Sequence, residues 1–376
     1  METDIMIIGL GGVGRNCLEF LVREPSVSSI VGADVREKYG QGVVNIASAG
    51  AIHMGHYPEV KFVRMDLLDD VDKNAEIISK INPRIILNCT TMLTWWAVPA
   101  LLPSEVLKPL EDIADLGPWI PLHLRLTYHL MQAVDKSGIK PLVVNGSYGD
   151  AVGPALERIG LAPTVGMGNV DSEVAFMRMI VARKEGLKPR DIRVYYVGHH
   201  FNSVWMEQGG EPIDPPPFYL KIIADYRDVT QQYDLLKLQK EAGQMWGGDY
   251  GDTLTASSQC KHALAMLNDE RILTIAVSPN GLVGAYPIWL GADGPKLALP
   301  DDIPLDEAIK INLGGQLRDG IEEIREDGTI VFPDDVVEVV KDIFNFECKS
   351  FHVTEVDEVA IEQKRKFDET AKKFKK

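Results

Sequence analysis

The chain has 376 residues, of which 45% are hydrophobic and 25% are charged, and its formal net charge is −16. This composition is typical of a folded globular protein and excludes a disordered chain, and the length suits two domains. The acidic balance excludes nucleic acid as the main partner, because phosphate binding needs a basic surface.

The N-terminal stretch "IMIIGLGGVG" predicts a buried strand, a glycine turn and the start of a helix. The turn has the spacing G-x-G-x-x-G at Gly9, Gly11 and Gly14. The first glycine allows a tight turn, the second lets a diphosphate approach the backbone, and the third lets the helix pack close to the strand. Gly12 and Val13 are predicted to offer main-chain N–H groups to the phosphates. This pattern predicts a dinucleotide site.

A second strand, "SIVGA", ends in Asp34, at the spacing of about 20 residues that this kind of site uses for its acidic residue. A carboxylate here accepts hydrogen bonds from the adenosine ribose and repels a 2′-phosphate, which favours NAD. Arg36 favours NADP, because a guanidinium beside the ribose pairs with that phosphate. We expect NAD as the cofactor, with NADP as the alternative.

Strands and helices alternate as far as residue 146, which predicts a parallel sheet covered on both faces. Ligands bind at the carboxyl ends of the strands in such sheets. Asp66 is therefore predicted near the adenine, Thr90 and Thr91 near the nicotinamide half, and Asn145 near the carboxamide. An equally good interpretation of Asp66 is a carboxylate that caps the next helix.

After about residue 160 the alternation stops. The segments "DIRVYYVGHHF", "FYLKIIADY", "RILTIAV", "YPIWLG" and "GTIVF" predict strands joined mostly by turns. We therefore predict an α/β protein with a dinucleotide-binding Rossmann domain at residues 1–155, whose parallel sheet is doubly wound. An α+β substrate or oligomerisation domain with a mainly antiparallel sheet follows at 156–352, and a charged helix at 353–376.

The order of these features resembles the saccharopine dehydrogenase-like oxidoreductases. The resemblance is carried by the dinucleotide turn, "VRMDLLDDVDKNAEII", "PRIILNCT" and the glycine-rich run that begins "VNGSYGDAVGP", and it covers about the first 170 residues. It implies pyridine-nucleotide redox chemistry at a carbon that bears an amine or a hydroxyl group. The resemblance assigns no substrate contacts.

Two alternative functions stay open. "GLGGVG" also resembles the G-x-G-G-x-G turn of ATP-dependent adenylating enzymes of the ubiquitin-activating type. Those enzymes have D-x-D after the second strand, whereas this chain has Arg36 in place of the second aspartate. Many of them also carry CxxC zinc ligands, and this sequence contains no CxxC. The other alternative is an NAD-dependent isomerase or lyase without net redox.

Hydride transfer needs a neighbouring group that takes or gives a proton. Tyr148 follows the fifth strand directly and would lie on the cofactor edge. Lys261 lies just inside a helix predicted after the glycine-rich approach "GGDYGDTLTAS". His199 and His200 end the strand "RVYYVGHH", where adjacent side chains point to opposite faces, so we expect one of them to face the cleft.

The remaining signals concern partners and location. The four cysteines are far apart with no CxxC pair, and His53 and His56 have no further ligand nearby, so we predict no metal site and no disulfide framework. With no leader and no apolar run of ~18 residues, we expect a cytoplasmic protein without membrane contact. Trp95 and Trp96 suggest a lid or a subunit contact, and the predicted partners are a small-molecule substrate and further copies of the chain in a homo-oligomer.

Overall fold

The computed structural model describes residues 2–94, 97–210, 214–246 and 251–374. Within these ranges the strands are β1 (Thr3–Ile8), β2 (Ser29–Asp34), β3 (Glu59–Arg64), β4 (Pro83–Asn88), β5 (Leu142–Asn145), β6 (Val165–Gly166), β7 (Ile192–Val197), β8 (Tyr219–Ala224), β9 (Arg227–Asp228), β10 (Ile272–Val277), β11 (Ala285–Gly291), β12 (Gly294–Leu297), β13 (Glu323–Ile324), β14 (Thr329–Val331) and β15 (Ser350–His352).

The helices are α1 (Gly12–Leu21), α2 (Glu37–His53), α3 (Val71–Ile81), α4 (Ala97–Leu101), α5 (Ser104–Glu111), α6 (Ile120–Lys136), α7 (Gly149–Glu157), α8 (Asn169–Glu185), α9 (His200–Glu207), α10 (Leu235–Gly243), α11 (Gly251–Leu267), α12 (Leu305–Asp319), α13 (Asp334–Phe344) and α14 (Val356–Lys372). In the described part of the chain, no helix combines the length and the apolar character that a membrane span requires.

A sheet of 9 strands, in the order β12-β11-β10-β6-β5-β4-β1-β2-β3, forms the centre of the molecule. In this order, the strands from β6 through β5, β4, β1 and β2 to β3 are parallel. Ile7 of β1 pairs with Gly32 of β2 on one side and with Leu87 of β4 on the other. The predicted α/β fold with a parallel sheet in the N-terminal half is confirmed.

The sheet continues past β6 with three antiparallel strands. Val277 of β10 pairs with Gly166 of β6, and β11 and β12 follow outward. The predicted strands "RILTIAV" and "YPIWLG" therefore exist, but they extend the first sheet instead of building a separate one. The reason is that β6 would otherwise present unpaired backbone groups, which β10 satisfies. The domain boundary predicted at residue 155 stays a prediction. The central sheet contains strands from both sides of that residue.

Two smaller sheets are antiparallel, each with 3 strands, in the orders β7-β8-β9 and β13-β14-β15. The first packs with α8, α9 and α10 around a separate apolar cluster that includes Tyr196 and Trp205. The second belongs to the C-terminal part, where Gln363 of α14 donates from Nε2 to the carbonyl oxygen of Pro118 at 2.6 Å. The C-terminal helix is thereby attached to the start of α6.

Alternate side chains of β1 enter different cores, as the two-residue period of a strand requires. Ile5 and Ile7 pack on the face covered by α1, α2 and α11, whereas Met6 and Ile8 pack on the face covered by α3, α6 and α7. Helix α11 lies directly on α1, and the thiol of Cys17 contacts the carbonyl oxygen of Ala256 at 3.8 Å. This packing brings the start of α11 to the glycine turn.

Candidate functional site

The glycine turn follows β1 at the carboxyl end of the sheet. Gly9 has φ +88°, a left-handed conformation that favours glycine, and a Cβ atom there would lie 2.8 Å from Cγ2 of Thr90. A Cβ atom on Gly14 would lie 1.9 Å from the carbonyl oxygen of Gly9. Both glycines are therefore required by the close contact between the turn, β4 and α1.

Gly11 differs from its neighbours because no heavy atom lies within 4 Å of the position that a Cβ atom would take. It precedes α1, and its carbonyl oxygen accepts the first helical hydrogen bond from Arg15 at 2.9 Å. The N–H groups of Gly12, Val13 and Gly14 have no intrahelical acceptor at this position, and they add to the positive end of the helix dipole. The open backbone at Gly11 suits an approaching phosphate group.

The other side of the turn is contacted by α11. A Cβ atom on Gly12 would lie 1.8 Å from Oδ2 of Asp252. The half-buried Asp252 carboxylate therefore lies against the first residue of α1, where its charge is favoured by the helix dipole. Asp252 belongs to the segment "GGDYGDTLTAS", which the sequence predicts before the helix, but it lies in the first turn of α11. Asp249 of the same segment lies outside the described residues.

Asp34 ends β2 beside the turn, and its side chain is 4% exposed. Its carboxylate accepts hydrogen bonds from the N–H of Leu10 at 2.9 Å, and from the backbone and the guanidinium of Arg36 at 2.9 to 3.0 Å. Burial raises the pKa of Asp34, but these hydrogen bonds outweigh it, so the pKa lies below its usual value. The carboxylate has about four acceptor positions, and Arg36 and Leu10 fill them all.

A groove of about 780 Å³ opens next to Asp34, between α1 and α2. Arg15, Arg36, Lys38 and Tyr39 are among its lining residues, together with the carboxylates of Glu19 and Glu37. The Arg36 guanidinium lies 4.0 Å above the Tyr39 ring, and the Tyr39 hydroxyl donates to the carbonyl oxygen of Leu10 at 3.0 Å. The groove offers an aromatic surface and cations at the place where the sequence predicts the adenosine.

The ends of β4 and β5 are joined by their asparagines. Asn88 donates to Oδ1 of Asn145 at 2.9 Å, and Asn145 also bonds to the backbone of Ser147. The predicted contact between Asn145 and the carboxamide therefore competes with hydrogen bonds inside the protein. Thr90 lies at the edge, where its hydroxyl donates to Oδ1 of Asn88 at 2.7 Å.

Gln259 of α11 reaches the same edge and was missed by the sequence analysis. Its Oε1 accepts from the thiol of Cys89 at 3.0 Å, and a Cβ atom on Gly146 would lie 1.8 Å from its Nε2. Among the described residues, this buried Nε2 has no hydrogen-bond acceptor. An unpaired buried amide donor is costly, so Gln259 is a candidate for binding a ligand oxygen between β4 and β5.

Buried histidines lie on the other side of the β5 end. Nδ1 of His123 lies 3.1 Å from the hydroxyl of Ser147 and 3.4 Å from the hydroxyl of Thr91, the second threonine after β4. Burial lowers the pKa of His123 to about 4, so the ring is neutral at pH 7. His123 was also missed, because nothing in the sequence distinguishes it from a histidine on an ordinary amphipathic helix.

Tyr148 connects His123 to a buried carboxylate. The residue has φ 45° and precedes α7, and its hydroxyl donates to Oδ2 of Asp319 at 2.6 Å. Burial and the Asp319 charge raise the pKa of Tyr148 well above its usual value. The edges of the His123, His199 and His200 rings surround the tyrosine, with ring centroids 5.9 to 6.4 Å away.

The expectation that His199 and His200 point to opposite faces is wrong. The strand ends at Val197, and α9 begins at His200, so the alternation of a strand does not apply. Nδ1 of His199 lies 3.5 Å from Oδ2 of Asp319, and Nδ1 of His200 lies 3.4 Å from the same oxygen. Burial lowers the pKa of His200, but the nearby carboxylates outweigh it and raise the pKa to about 10.

Lys261 lies apart from these residues. Its ammonium pairs with both carboxylate oxygens of Asp171 at 2.5 Å, and the hydroxyl of Ser258 donates to the same carboxylate. The prediction that Lys261 lies just inside a helix is wrong, because α11 begins at Gly251 and Lys261 lies well inside it. Threonines and glycines made the first turns of this helix look like a loop.

The last two predictions on this edge concern Asp66 and the tryptophans. The Asp66 carboxylate accepts from the N–H of Leu68 at 3.0 Å, and its carbonyl oxygen accepts from the side chain of Asn74 at 2.8 Å. These contacts organise the turn before α3. The helix itself is capped by Asp70, whose carboxylate accepts from the N–H of Asp72 at 2.8 Å, so the interpretation of Asp66 as the helix cap is wrong. Trp95 and Trp96 lie outside the described residues.

No family model matches the chain, and no curated protein matches its sequence. Solved structures share its fold. Lactate dehydrogenase from Cryptosporidium parvum, complexed with lactic acid and β-nicotinamide adenine dinucleotide, is 15% identical, with a TM-score of 0.60 over 85% of this chain and 98% of that one. Lactate dehydrogenase from Eimeria maxima with NADH and oxamate is 15% identical, with a TM-score of 0.59 over 84% of this chain and 92% of that one.

Malate dehydrogenase from Cryptosporidium parvum is also 15% identical, with a TM-score of 0.57 over 83% of this chain and 96% of that one. At such identities the comparison shows the fold, which is shared over nearly the whole length of these proteins. The resemblance to saccharopine dehydrogenase-like oxidoreductases is not confirmed by these structures. The chain has the fold of the lactate and malate dehydrogenases.

Proposed function

We propose that the protein is an NAD(P)-dependent oxidoreductase that transfers a hydride between a nicotinamide cofactor and a carbon bearing a hydroxyl or amine group of a small metabolite. The observation that carries the proposal is the open main chain at Gly11, which leads into α1 at the carboxyl edge of a parallel sheet. Neighbours with the same fold were solved with NAD or NADH and with lactic acid or oxamate, which supports a 2-hydroxy acid as the first substrate class to test.

The residues present fit a dinucleotide. The diphosphate would bind the N–H groups of Gly12 and Val13 next to the open position at Gly11. The adenosine would lie in the groove between α1 and α2, where Asp34 reaches the ribose once the Arg36 guanidinium moves away. Asp34 would then favour NAD, whereas the guanidinium, which stays close enough to bind a 2′-phosphate, leaves NADP as the alternative.

The nicotinamide half would lie between the ends of β4 and β5. Here Gln259 supplies an unpaired amide donor, and Thr90 supplies a hydroxyl. When bound, the cofactor supplies or accepts the hydride. The protein's own part is to orient the two reactants and to exchange the proton.

The candidates for proton exchange are the histidines on the other side of the β5 end. His123 contacts Thr91 at the cofactor edge and is our candidate for the proton acceptor in the oxidation direction. Its imidazole is neutral at pH 7, but burial makes it a weaker base than a free imidazole, so the bound reactants have to raise its pKa for the transfer. Behind His123, three further side chains surround Asp319 and keep the region polar, namely Tyr148, His199 and His200. Lys261 is the weaker candidate, because Asp171 already holds its ammonium.

The test compares two variants that each add one methyl group. Gly11→Ala adds it at a position with no heavy atom within 4 Å, and Gly11 has no positive φ. The control, Ser104→Thr, adds it at an exposed position at the start of α5, outside the groove. Both variants should fold with a melting temperature close to that of wild type. Only Gly11→Ala should weaken NADH binding, by roughly tenfold or more, because its methyl group meets the diphosphate.

Binding is measured by calorimetric titration with NADH, NADPH and Mg-ATP, and turnover by NADH formation with a panel of 2-hydroxy acids and amino acids. If wild-type protein bound Mg-ATP and neither dinucleotide, the chain would be an adenylating enzyme and the proposal would fail. Dinucleotide binding and substrate turnover without net NADH formation would indicate an isomerase or a lyase instead.

A further inference from the structure

A cluster of potential metal ligands lies behind Tyr148, outside the cofactor edge. One ligand atom each from Asp115, His200 and Asp319 lies within 4.8 Å of the other two, and all three residues are buried. Asp115 belongs to the connection between α5 and α6, His200 begins α9, and Asp319 ends α12. Three segments far apart in the chain thus direct carboxylate and imidazole groups to one point.

His199 supplies an independent observation at the same point. Its side chain is 0% exposed, and its Nδ1 lies 3.5 Å from Oδ2 of Asp319. Neither ring nitrogen has a hydrogen-bond partner among the residues that the structure describes. A fully buried imidazole with both nitrogens unpaired is unfavourable unless it binds something else. The free nitrogen next to Asp319 therefore indicates a ligand.

The separations suit metal coordination better than hydrogen bonding. Nδ1 of His200 lies 3.4 Å from Oδ2 of Asp319 and 3.7 Å from Oδ2 of Asp115, and the His199 distance to Asp319 is 3.5 Å. Four donors at about 2.0 to 2.2 Å from a tetrahedral ion lie about 3.3 to 3.6 Å from one another. The three distances lie close to this range. His199 lies outside the group of Asp115, His200 and Asp319, whose ligand atoms are all within 4.8 Å of one another, so its ring has to move toward this group to complete the arrangement.

We propose that Asp115, His199, His200 and Asp319 bind one divalent transition-metal ion, of the zinc type, in a closed structural site. Two imidazole nitrogens with two carboxylate oxygens form a donor set that suits zinc, whereas magnesium and calcium prefer oxygen ligands alone. The two carboxylates balance the charge of the ion. Because all four side chains are buried, the site has no open position for a substrate.

Groups around the ligands hold them in place. The hydroxyl of Tyr148 donates to Oδ2 of Asp319 at 2.6 Å, and the N–H of Leu116 donates to Oδ1 at 3.1 Å. The carboxylate of Asp150 accepts from the backbone N–H of His200 at 3.1 Å. Such outer contacts fix the orientation of metal ligands. The ion would connect α9, α12 and the segment before α6, next to the proposed substrate side of the site.

The first experiment uses the full-length protein, purified without a histidine tag, and needs no variant. Metal content is measured by mass spectrometry of the protein as isolated. The protein is then stripped with a chelator and titrated with zinc chloride and with cobalt chloride. We expect about one ion per chain, a visible absorption band of tetrahedral cobalt, and a melting temperature that falls on stripping and returns with zinc. A stripped protein that binds neither ion at micromolar concentration would overturn the proposal.

Variants then assign the ligands. His199→Gln and Asp319→Asn each keep the size of the side chain, and each should raise the zinc dissociation constant by roughly a hundredfold or more and abolish the cobalt band. His129→Gln is the matched control, because His129 is a half-buried histidine of α6 that pairs with Asp357 instead. Unchanged zinc affinity in both ligand variants would show that the ion binds elsewhere. None of these measurements uses NAD, so the proposal stands or fails independently of the proposed function.

Discussion

The carboxylate of Asp252 lies against Gly12 at the first turn of α1, so close that a Cβ atom on Gly12 would lie 1.8 Å from Oδ2. This is the place where a dinucleotide is expected to present its diphosphate. The helix dipole favours the carboxylate and would favour the diphosphate for the same reason, so the two compete.

We expect Asp252→Asn to bind NADH more tightly than wild type, by roughly threefold to tenfold, because the variant removes a negative charge next to the diphosphate. The gain should shrink as salt is added. Asp135→Asn, an exposed change on α6 across the sheet, alters the net charge equally and should leave affinity unchanged. Weaker binding in Asp252→Asn would show that the carboxylate assists the cofactor.

Arg36 is expected to decide the preference between the two dinucleotides. Arg36→Ala removes the guanidinium that occupies Asp34 and that would pair with a 2′-phosphate. NADPH affinity should fall by about tenfold, whereas NADH affinity should stay within about threefold of wild type. Lys38→Ala, in the same groove, should change the ratio of the two affinities little. Equal losses for both cofactors in Arg36→Ala would show that the residue only shapes the turn.

Lys261→Met tests whether this lysine supports the fold or the chemistry. The variant leaves the carboxylate of Asp171, 6% exposed, without its cation. Because the Lys261 side chain is 36% exposed and Ser258 still donates to the carboxylate, the free energy of unfolding should fall by about 1 to 3 kcal/mol in urea titrations. The double variant with Asp171→Asn should recover part of this loss, because the buried charge is then absent. Full stability together with lost turnover would instead support the catalytic role predicted from the sequence.

Glu173 should make stability depend on pH. Burial raises the pKa of Glu173 to about 8, although Trp246 donates a hydrogen bond to its carboxylate. Between the unfolded pKa of about 4.3 and this value, the folded protein holds a proton that the unfolded chain releases. Stability contributed by the protonated group is therefore complete below about pH 4 and is lost as the pH rises toward 8.

Glu173→Gln should remove this dependence and stabilise the protein at about pH 8 by a few kcal/mol. The measurement is urea unfolding of wild type and variant between about pH 5 and pH 8, with the exposed change Glu76→Gln as the control. Parallel curves for wild type and Glu173→Gln would show that Glu173 does not hold a proton in the folded protein.

The first strands, the glycine turn and Asp34 could be predicted from the sequence because each depends on local patterns. Unbroken apolar runs predict the buried parallel strands, and the G-x-G-x-x-G spacing predicts the turn, in which Gly14 packs against the carbonyl oxygen of Gly9. The histidine pair shows the limit of local patterns. "VGHHF" looks like the end of a strand, but the turn into α9 directs both rings toward Asp319.

Other parts of the site could not be predicted because they depend on tertiary contacts. Asp319 meets Tyr148 only because α12 ends beside α7, and Gln259 reaches the β4 edge only because α11 packs on α1. No residue spacing in the sequence indicates these tertiary contacts. A clue existed for Asp319, which ends a helix before Gly320, but a helix end alone does not indicate a site.

The pairing of Val277 with Gly166 also bears on how the chain folds during synthesis. The N-terminal half can form its parallel strands early, yet the edge at β6 stays open until more than a hundred further residues have left the ribosome. An exposed strand edge is a place where chains associate wrongly. Nascent protein is therefore most vulnerable to aggregation in that interval. A fragment that stops at residue 155 lacks β6 as well and exposes the edge of β5 permanently.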